Sequence, residues 1–264
     1  MSIKSNLEYE KLRAIGAIVA LTLKTVAAAV RPGITTAELD DIGAAALKRN
    51  GARSSPPLVY GFPGALCISV NDEAIHGIPG SRAVQPGDLV KLDLVAEKDG
   101  FHADAAITVG VAPHSETGRE LTHCAERAFR QGLGAARAGN RVYEIGKAIE
   151  REVRRGGFSV LRNLCGHGVG RAIHEQPNVP NFADPSARGR LTEGLVITIE
   201  PIIAAGSGRN RVEKDGWTVR TATPKRRTKR CRSTVRIWSL WPQQSSMDCS
   251  GCQCRFRFSP ALAW

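Results

Sequence analysis

No run of about 18 uninterrupted apolar residues occurs in this sequence, which on that measure excludes a transmembrane helix. The opening residues Met1-Ser2-Ile3-Lys4-Ser5-Asn6 lack the basic-then-apolar order of an export signal, so the expected location is the cytoplasm. A zincin motif starting at His174-Glu175 needs a second histidine four residues after the first, and Asn178 stands there instead. The run Gly166-His167-Gly168-Val169-Gly170 lacks the following helix and downstream acid of a dinucleotide site. Acids are also missing from Gly216 to Met247.

What is present begins with 264 residues of ordinary apolar content, enough for one large domain or two small ones. The net charge of +12 is unevenly placed. Residues 220–264 hold ten Lys/Arg and one acid, Asp248, so nine of the twelve net charges lie there. The remaining body is nearly neutral, which argues against a nucleic-acid surface on it. Cys231, Cys249, Cys252 and Cys254 crowd the same tail with three of the four tryptophans. Cys67, Cys124 and Cys165 are scattered, as reduced cytosolic thiols are. The chain changes character near residue 220.

Leu12, Ile15, Val19, Leu23, Val26 and Val30 recur at helical spacing, predicting an amphipathic helix over 7–30 stopped by Pro32-Gly33. Thr35-x-x-Glu38 is a capping box opening a second helix that ends at Asn50-Gly51. Residues 52–64 read as a loop, 65–70 as a short strand, and 71–87 as a loop containing His76-Gly77-Ile78-Pro79. Thr117-x-x-Glu120 is expected to cap a third helix, and Val142, Ile145, Ile149 and Val153 mark a fourth, ended by Gly156-Gly157. Identities recur at an offset of 106: Arg31/Arg137, Gly33/Gly139, Glu38/Glu144, Arg49/Arg155 and Gly51/Gly157. At an offset of 107, Gly87…Leu92-Asp93 aligns with Gly194…Ile199-Glu200. One domain of two related halves is expected, each with helices followed by a strand ending in an acid.

Asp93 and Asp104 lie on the two arms of a predicted hairpin, 88–95 and 101–109. A turn at Lys98-Asp99 places them directly opposite; a turn at Asp99-Gly100 makes them diagonal neighbours on the same face. Like charges so placed repel, and burying them unpaired costs several kcal/mol, so a divalent cation between them is one reading. A solvent-facing pair kept for solubility is the other. His167 between glycines is compatible with a purely structural role, but His174 follows seven residues later beside the suspected acidic site. Asp93, Asp104, His167 and Glu200 form an oxygen-rich set with one imidazole, suited to Mn²⁺, Co²⁺, Fe²⁺ or Zn²⁺. Two ions about 3.5–4 Å apart could share such carboxylates to activate water.

The chain resembles the type I methionine aminopeptidases. The resemblance is carried by Asn71-Asp72-Glu73-Ala74-Ile75-His76-Gly77-Ile78-Pro79, Lys91-Leu92-Asp93, His102-Ala103-Asp104, Gly166-His167-Gly168-Val169-Gly170, His174-Glu175-Gln176-Pro177, Ile199-Glu200-Pro201 and Asp215-Gly216-Trp217-Thr218-Val219. It covers residues 1 to about 221 and implies an α+β pita-bread fold, two pseudo-symmetric halves of helices on a curved antiparallel sheet. It implies that Asp93, Asp104, His167 and Glu200 are metal ligands for two divalent ions, with Co, Mn, Fe(II) and Zn as candidates. His174 would hydrogen-bond the scissile carbonyl and its oxyanion, and His76 would contact the substrate amide and help proton movement. A metal-bridging hydroxide would attack the bond after an N-terminal methionine that precedes a small residue. Tyr60, Phe62, Cys67, Ile173 and Trp217 fall where the family places its methionine pocket, with ordinary core packing as the alternative. His102, His114 and His123 match nothing and read as surface or packing residues. The implied partners are nascent polypeptide N-termini at the ribosome, acted on by a monomer without membrane or nucleic-acid partners.

One departure stands out. The family carries a bridging glutamate on a late strand, and the internal repeat asks for the same acid; residues 221–233 contain none. The second metal position is therefore expected to be weakened and the last strands lacking. The chain divides into a metallopeptidase domain, 1–221, and a basic Cys/Trp-rich tail, 222–264, that reads as out-of-frame or disordered. Zinc binding by the tail cysteines fits no module cleanly, and the run 225–232 could touch RNA. The alternative function is thus a non-catalytic pita-bread protein binding nucleic acid or the ribosome through its tail.

Overall fold

A computed structural model describes residues 1–222, together with the backbone of Thr234–Val235 and Trp241–Pro242. The elements run α1 (Asn6–Ala29), α2 (Thr36–Arg49), β1 (Arg53–Ser54), α3 (Ser55–Tyr60), β2 (Cys67–Val70), β3 (Glu73–Ile75), β4 (Leu89–Lys98) and β5 (Phe101–Gly110). Then follow α4 (Glu116–Ala135), α5 (Val142–Arg155), β6 (Ser159–Val160), β7 (Cys165–Gly168), β8 (Glu175–Pro180), β9 (Val196–Ile197), β10 (Ile203–Ala204), β11 (Asn210–Val212), β12 (Val219–Thr221), β13 (Thr234–Val235) and β14 (Trp241–Pro242).

By length and composition α1 could cross a membrane. Its stripe of Leu12, Ile15, Val19, Leu23 and Val26 instead lies buried against α2, β4 and β5. The capping box of α2 forms as expected: Thr35 Oγ1 accepts from the Glu38 amide, and Glu38 accepts from the Thr35 amide at 2.8 Å. Such caps contribute about 1 kcal/mol. Several expectations need correction, among them the loops over 52–64 and 71–87, within which Arg53–Ser54 form β1 and Glu73–Ile75 form β3 because they pair with β4 and β12. Residues 55–60 form a helix rather than a loop, because Pro56 and Pro57 occupy its first positions, where a missing N–H costs nothing. Helix α4 is capped by Ser115, which accepts from the Gly118 amide at 3.0 Å, so Thr117 falls inside the first turn.

The long hairpin β4–β5 forms one edge-to-edge unit, with β1 and β2 along the other edge of β4. In the second half β7 lies between β8 and β9, with β14 beyond, and β10 lies between β6 and β13. A fourth sheet, β11-β12-β3, joins residues 210–221 to the first half. The two halves repeat in detail. An offset of 106 residues carries α2 onto α5 from end to end. Gly33 N donates to Val84 O and Gly139 N to Leu191 O, both at 2.8 Å. Thr35 bridges Ala83 as Arg141 bridges Arg190.

Each half has its own apolar core, the first centred on Ile15, Leu39 and Leu92, the second on Leu121, Ile145 and Ile149. Side chains so fully buried stabilise by about 1.5–3 kcal/mol each. The last strands are short rather than missing: Thr234–Val235 pairs with Ile203–Ala204, and Trp241–Pro242 with Val196–Ile197. The tail cysteines, the basic run 225–232 and the position of the sought acid lie outside the described residues.

Candidate metal centre

The hairpin turn decides how the two aspartates meet. Asp99 and Gly100 have φ of 52° and 80°, the pair of left-handed residues that a two-residue turn with native strand twist requires. The turn therefore closes with Lys98 opposite Phe101. Asp93 faces Ala106 and Asp104 faces Val95, the diagonal arrangement. On the other side of β4, Cys67 lies directly opposite Asp93 and shares its face.

Strand β7 brings His167 to the same place. The glycines on either side answer to crowding: a Cβ at Gly166 would lie 2.4 Å from Thr198 O, and one at Gly168 would lie 2.3 Å from Gln176 O. His167 Nδ1 is 2.8 Å from Gly168 O. A carbonyl only accepts, so Nδ1 carries the proton and Nε2 is the atom turned to the site. Nε2 is 3.2 Å from Glu200 Oε1 and 3.5 Å from Asp104 Oδ2. Ligand atoms of Asp104, His167 and Glu200 all lie within 4.8 Å of one another. Asp93 adjoins this trio across the diagonal, near enough for its charge to raise the Asp104 pKa.

Thr198, fully buried, was not singled out by the sequence. Its hydroxyl donates to Glu200 Oε1 at 2.6 Å and accepts from the His167 amide at 2.9 Å. The only hint is a polar residue two before Glu200 in the apolar stretch 195–199. Lys91 was missed in the same way. It is 2 % exposed, and its ammonium donates to Asn71 O at 2.6 Å.

Asp93, Asp104, His167 and Glu200 are all buried. Burial drives the Asp104 carboxyl well above its usual range; the His167 hydrogen bond opposes this, and the Asp93 and Glu200 charges add to it. Burial alone would pull His167 down, but its bonds to Asp104 and Glu200 prevail and raise it to about 10. Asp104 Oδ1 is buried and accepts no hydrogen bond among the described residues. Three carboxylates and one imidazole in a dry space, with an orphaned carboxylate oxygen, fit a divalent cation of the borderline transition series.

The other expected site residues divide. His174, exposed just before β8, has its ring centroid 4.2 Å from that of His167, and its Nδ1 is 2.7 Å from Tyr60 Oη. Phe62 meets Trp217 edge-on at 5.2 Å, and Ile173 is buried beside His174 in sequence. His76 follows β3 with a left-handed φ of 56°. His102 N donates to Gly170 O, and its ring pairs with Ser55 Oγ at 2.9 Å; His114 and His123 are exposed.

The sequence profile of metallopeptidase family M24 matches residues 10–237. Over 223 residues the chain is 44% identical to a methionine aminopeptidase of Clostridium perfringens, covering 84% of this chain and 90% of that one. It is 43% identical over 223 residues to methionine aminopeptidase 2 of Bacillus subtilis, with the same coverage. Among solved structures, the methionine aminopeptidase of Thermotoga maritima superposes with a TM-score of 0.84 at 31% identity, covering 90% of this chain and 94% of that one.

Proposed function

The chain belongs to metallopeptidase family M24, and on that premise we propose that it is a metal-dependent methionyl aminopeptidase of the pita-bread fold. It removes the first methionine from polypeptides whose second residue is small. The observation that carries this reading is the buried Asp104–His167–Glu200 cluster, with Asp93 on its flank and His174 against His167. These four ligands would hold divalent metal, which when bound supplies Lewis acidity and an activated water. Two ions are the proposal, with Co, Mn, Fe(II) or Zn as candidates. A second ion would be held more weakly, because residues 216–247 offer no further carboxylate.

The protein's own groups then have distinct tasks. Burial raises the Tyr60 phenol above its ordinary pKa, so it stays protonated and donates to His174 Nδ1. The proton of neutral His174 is thereby placed on Nε2, the tautomer needed to donate to a carbonyl oxygen as it gains charge. His76, fixed by its backbone at the end of β3, contacts the substrate amide and helps move its proton. Phe62, Trp217, Cys67, Ile173 and the ring of Tyr60 form the apolar slot that accepts a thioether. The substrates are nascent chains at the ribosome, met by a cytoplasmic monomer.

The test is hydrolysis of Met-Gly-Met-Met after chelation and reloading with Co²⁺ or Mn²⁺. Release of free methionine is expected, with little release when a bulky residue replaces the glycine. No turnover by metal-loaded protein refutes the reading. That outcome would favour the second one, a non-catalytic binding protein, which the missing acid between Gly216 and Met247 specifically supports.

A further inference from the structure

Away from the metal ligands, one guanidinium is shared among three carboxylates. Arg220 lies on β12, next to a register irregularity between Val219 and Arg220 where that strand meets β3. It reaches Asp72 Oδ1 at 2.6 Å, Glu73 Oε1 at 2.9 Å and Glu213 Oε1 at 3.2 Å. Asp72 and Glu73 belong to the entry of β3, and Glu213 follows β11. One planar cation therefore ties together three stretches of chain, which the point charge of a lysine cannot do. Its side chain is 28% exposed, so these pairs are less screened than a surface salt bridge.

The backbone around it is anchored at both ends. Thr221 N donates to Asp72 O at 2.8 Å. Asp215 Oδ1 accepts from the amides of Trp217 and Thr218 at 2.8 and 2.9 Å, which fixes the β11–β12 turn. Asn71 and His76 flank β3 with φ of 58° and 56°, left-handed turns that set where the strand begins and ends. Thr218 Oγ1 lies 3.5 Å from His76 O, and Trp217 packs on Phe62. Arg220 thus connects the strand that leads to His76 to the turn that presents Trp217.

We propose that Arg220 is a positioning residue that sets the separation of His76 and Trp217, and so the selectivity of the slot for methionine. The inference rests on the aminopeptidase reading for its substrate, but not for its mechanics. Glu73 also pairs with Arg82 and Glu213 with Arg211, both at 3.0 Å, but neither of those cations reaches across from β12 to Asp72. Without the Arg220 guanidinium the cross-link is lost and the β3–β12 seam loosens, moving both walls of the slot together.

The test uses the full-length, metal-loaded protein and the variants Arg220→Met and Arg220→Lys. In Arg220→Met, amide hydrogen exchange should quicken in both 71–78 and 213–221, with metal stoichiometry unchanged. The ratio of kcat/KM for Met-Gly over Leu-Gly peptides should fall about tenfold, and Arg220→Lys should lie between. Unchanged exchange, exchange altered in one segment alone, or unchanged selectivity overturns the proposal. If Arg220→Met does not fold, Asp72→Asn removes one leg of the tie and is read in the same way. A wild-type chain that cleaves neither peptide refutes the aminopeptidase reading, and the exchange comparison alone then decides whether Arg220 couples the two segments.

Discussion

Replacing Asp104 with asparagine separates what the buried cluster does to stability from what it does for metal. In metal-free protein the carboxyl is 2 % exposed, and burial, then the Asp93 and Glu200 charges, raise its pKa well above 3.8 against the pull of His167. An acid raised in this way holds more protons folded than unfolded above pH 3.8, so it costs stability as the pH rises through that window. His167 acts in the same direction. Its contribution is fully present below pH 6.5 and is lost as the pH climbs toward about 10. Asparagine keeps the shape of the side chain and removes the cost of the buried carboxyl, while forfeiting the share of the His167 contribution that Asp104 supplies, so the net gain is smaller than the carboxyl's cost alone. At pH 7.5, chelated Asp104→Asn should be more stable than chelated wild type by about 1–2 kcal/mol, about 2–8 °C in Tm for a chain of this size. Mn²⁺ at 100-fold its Kd should then stabilise wild type by about 2.7 kcal/mol. The variant, short of one ligand and binding Mn²⁺ about 100-fold more weakly, should gain only about 0.4 kcal/mol at the same concentration, so metal inverts the order of the two melting temperatures. Calorimetry after chelation, with and without Mn²⁺, measures both differences. A chelated variant that melts below wild type, or equal gains from metal, would refute the reasoning.

Thr198→Val removes the hydroxyl that orients Glu200 and the His167 amide, at nearly constant volume. Metal affinity by titration calorimetry should weaken about 10- to 100-fold, and an unchanged Kd would count against an orienting role. Tyr60→Phe deletes the donor to His174 Nδ1; kcat on Met-Gly-Met-Met should fall about tenfold at unchanged metal content. A lower metal content would place Tyr60 in metal binding instead. Burial pulls Lys91 from 10.5 down to about 7, partly against Glu73 and Asp72. The unfolded chain then binds more protons between these values, so Lys91 makes stability rise with pH across that window, opposite to His167. In Lys91→Met that rise, at most about 1.4 kcal/mol per pH unit, should vanish from urea melts run between pH 7 and 10.

The elements that depend on local chemistry were legible in the sequence. The stripe of α1, the capping box of α2 and the glycines that end α2 and α5 each follow from residues within a few positions of one another. The repeat at 106 residues was legible too, and with the family motifs it led to the pita-bread fold. The structure places Asp104, His167 and Glu200 together, with Asp93 on their flank. Other features depend on competition or on distant partners. Ser115 and Thr117 are both good caps, and only the approach of the chain chooses between them. Two turn placements were open in the β4–β5 hairpin, and the paired left-handed residues Asp99-Gly100 settled the register. Thr198 and Lys91 looked ordinary because what makes them matter, a carboxylate two residues on and a turn carbonyl across the sheet, comes from packing.

The duplicated architecture places the cluster on a seam. Asp93 and Asp104 come from the hairpin of the first half, and His167 and Glu200 come from the second, with α4 and α5 lying between them in the chain. An ion held by all four would be a rivet through two plates. Chelation would then do more than disarm chemistry; it would undo one tie between the repeats, leaving apolar contact, the β3–β12 strap, the Met1–Glu175 ion pair and hydrogen bonds such as His102 N to Gly170 O to keep them in register. The same carboxylates that repel when the rivet is drawn are what give it grip.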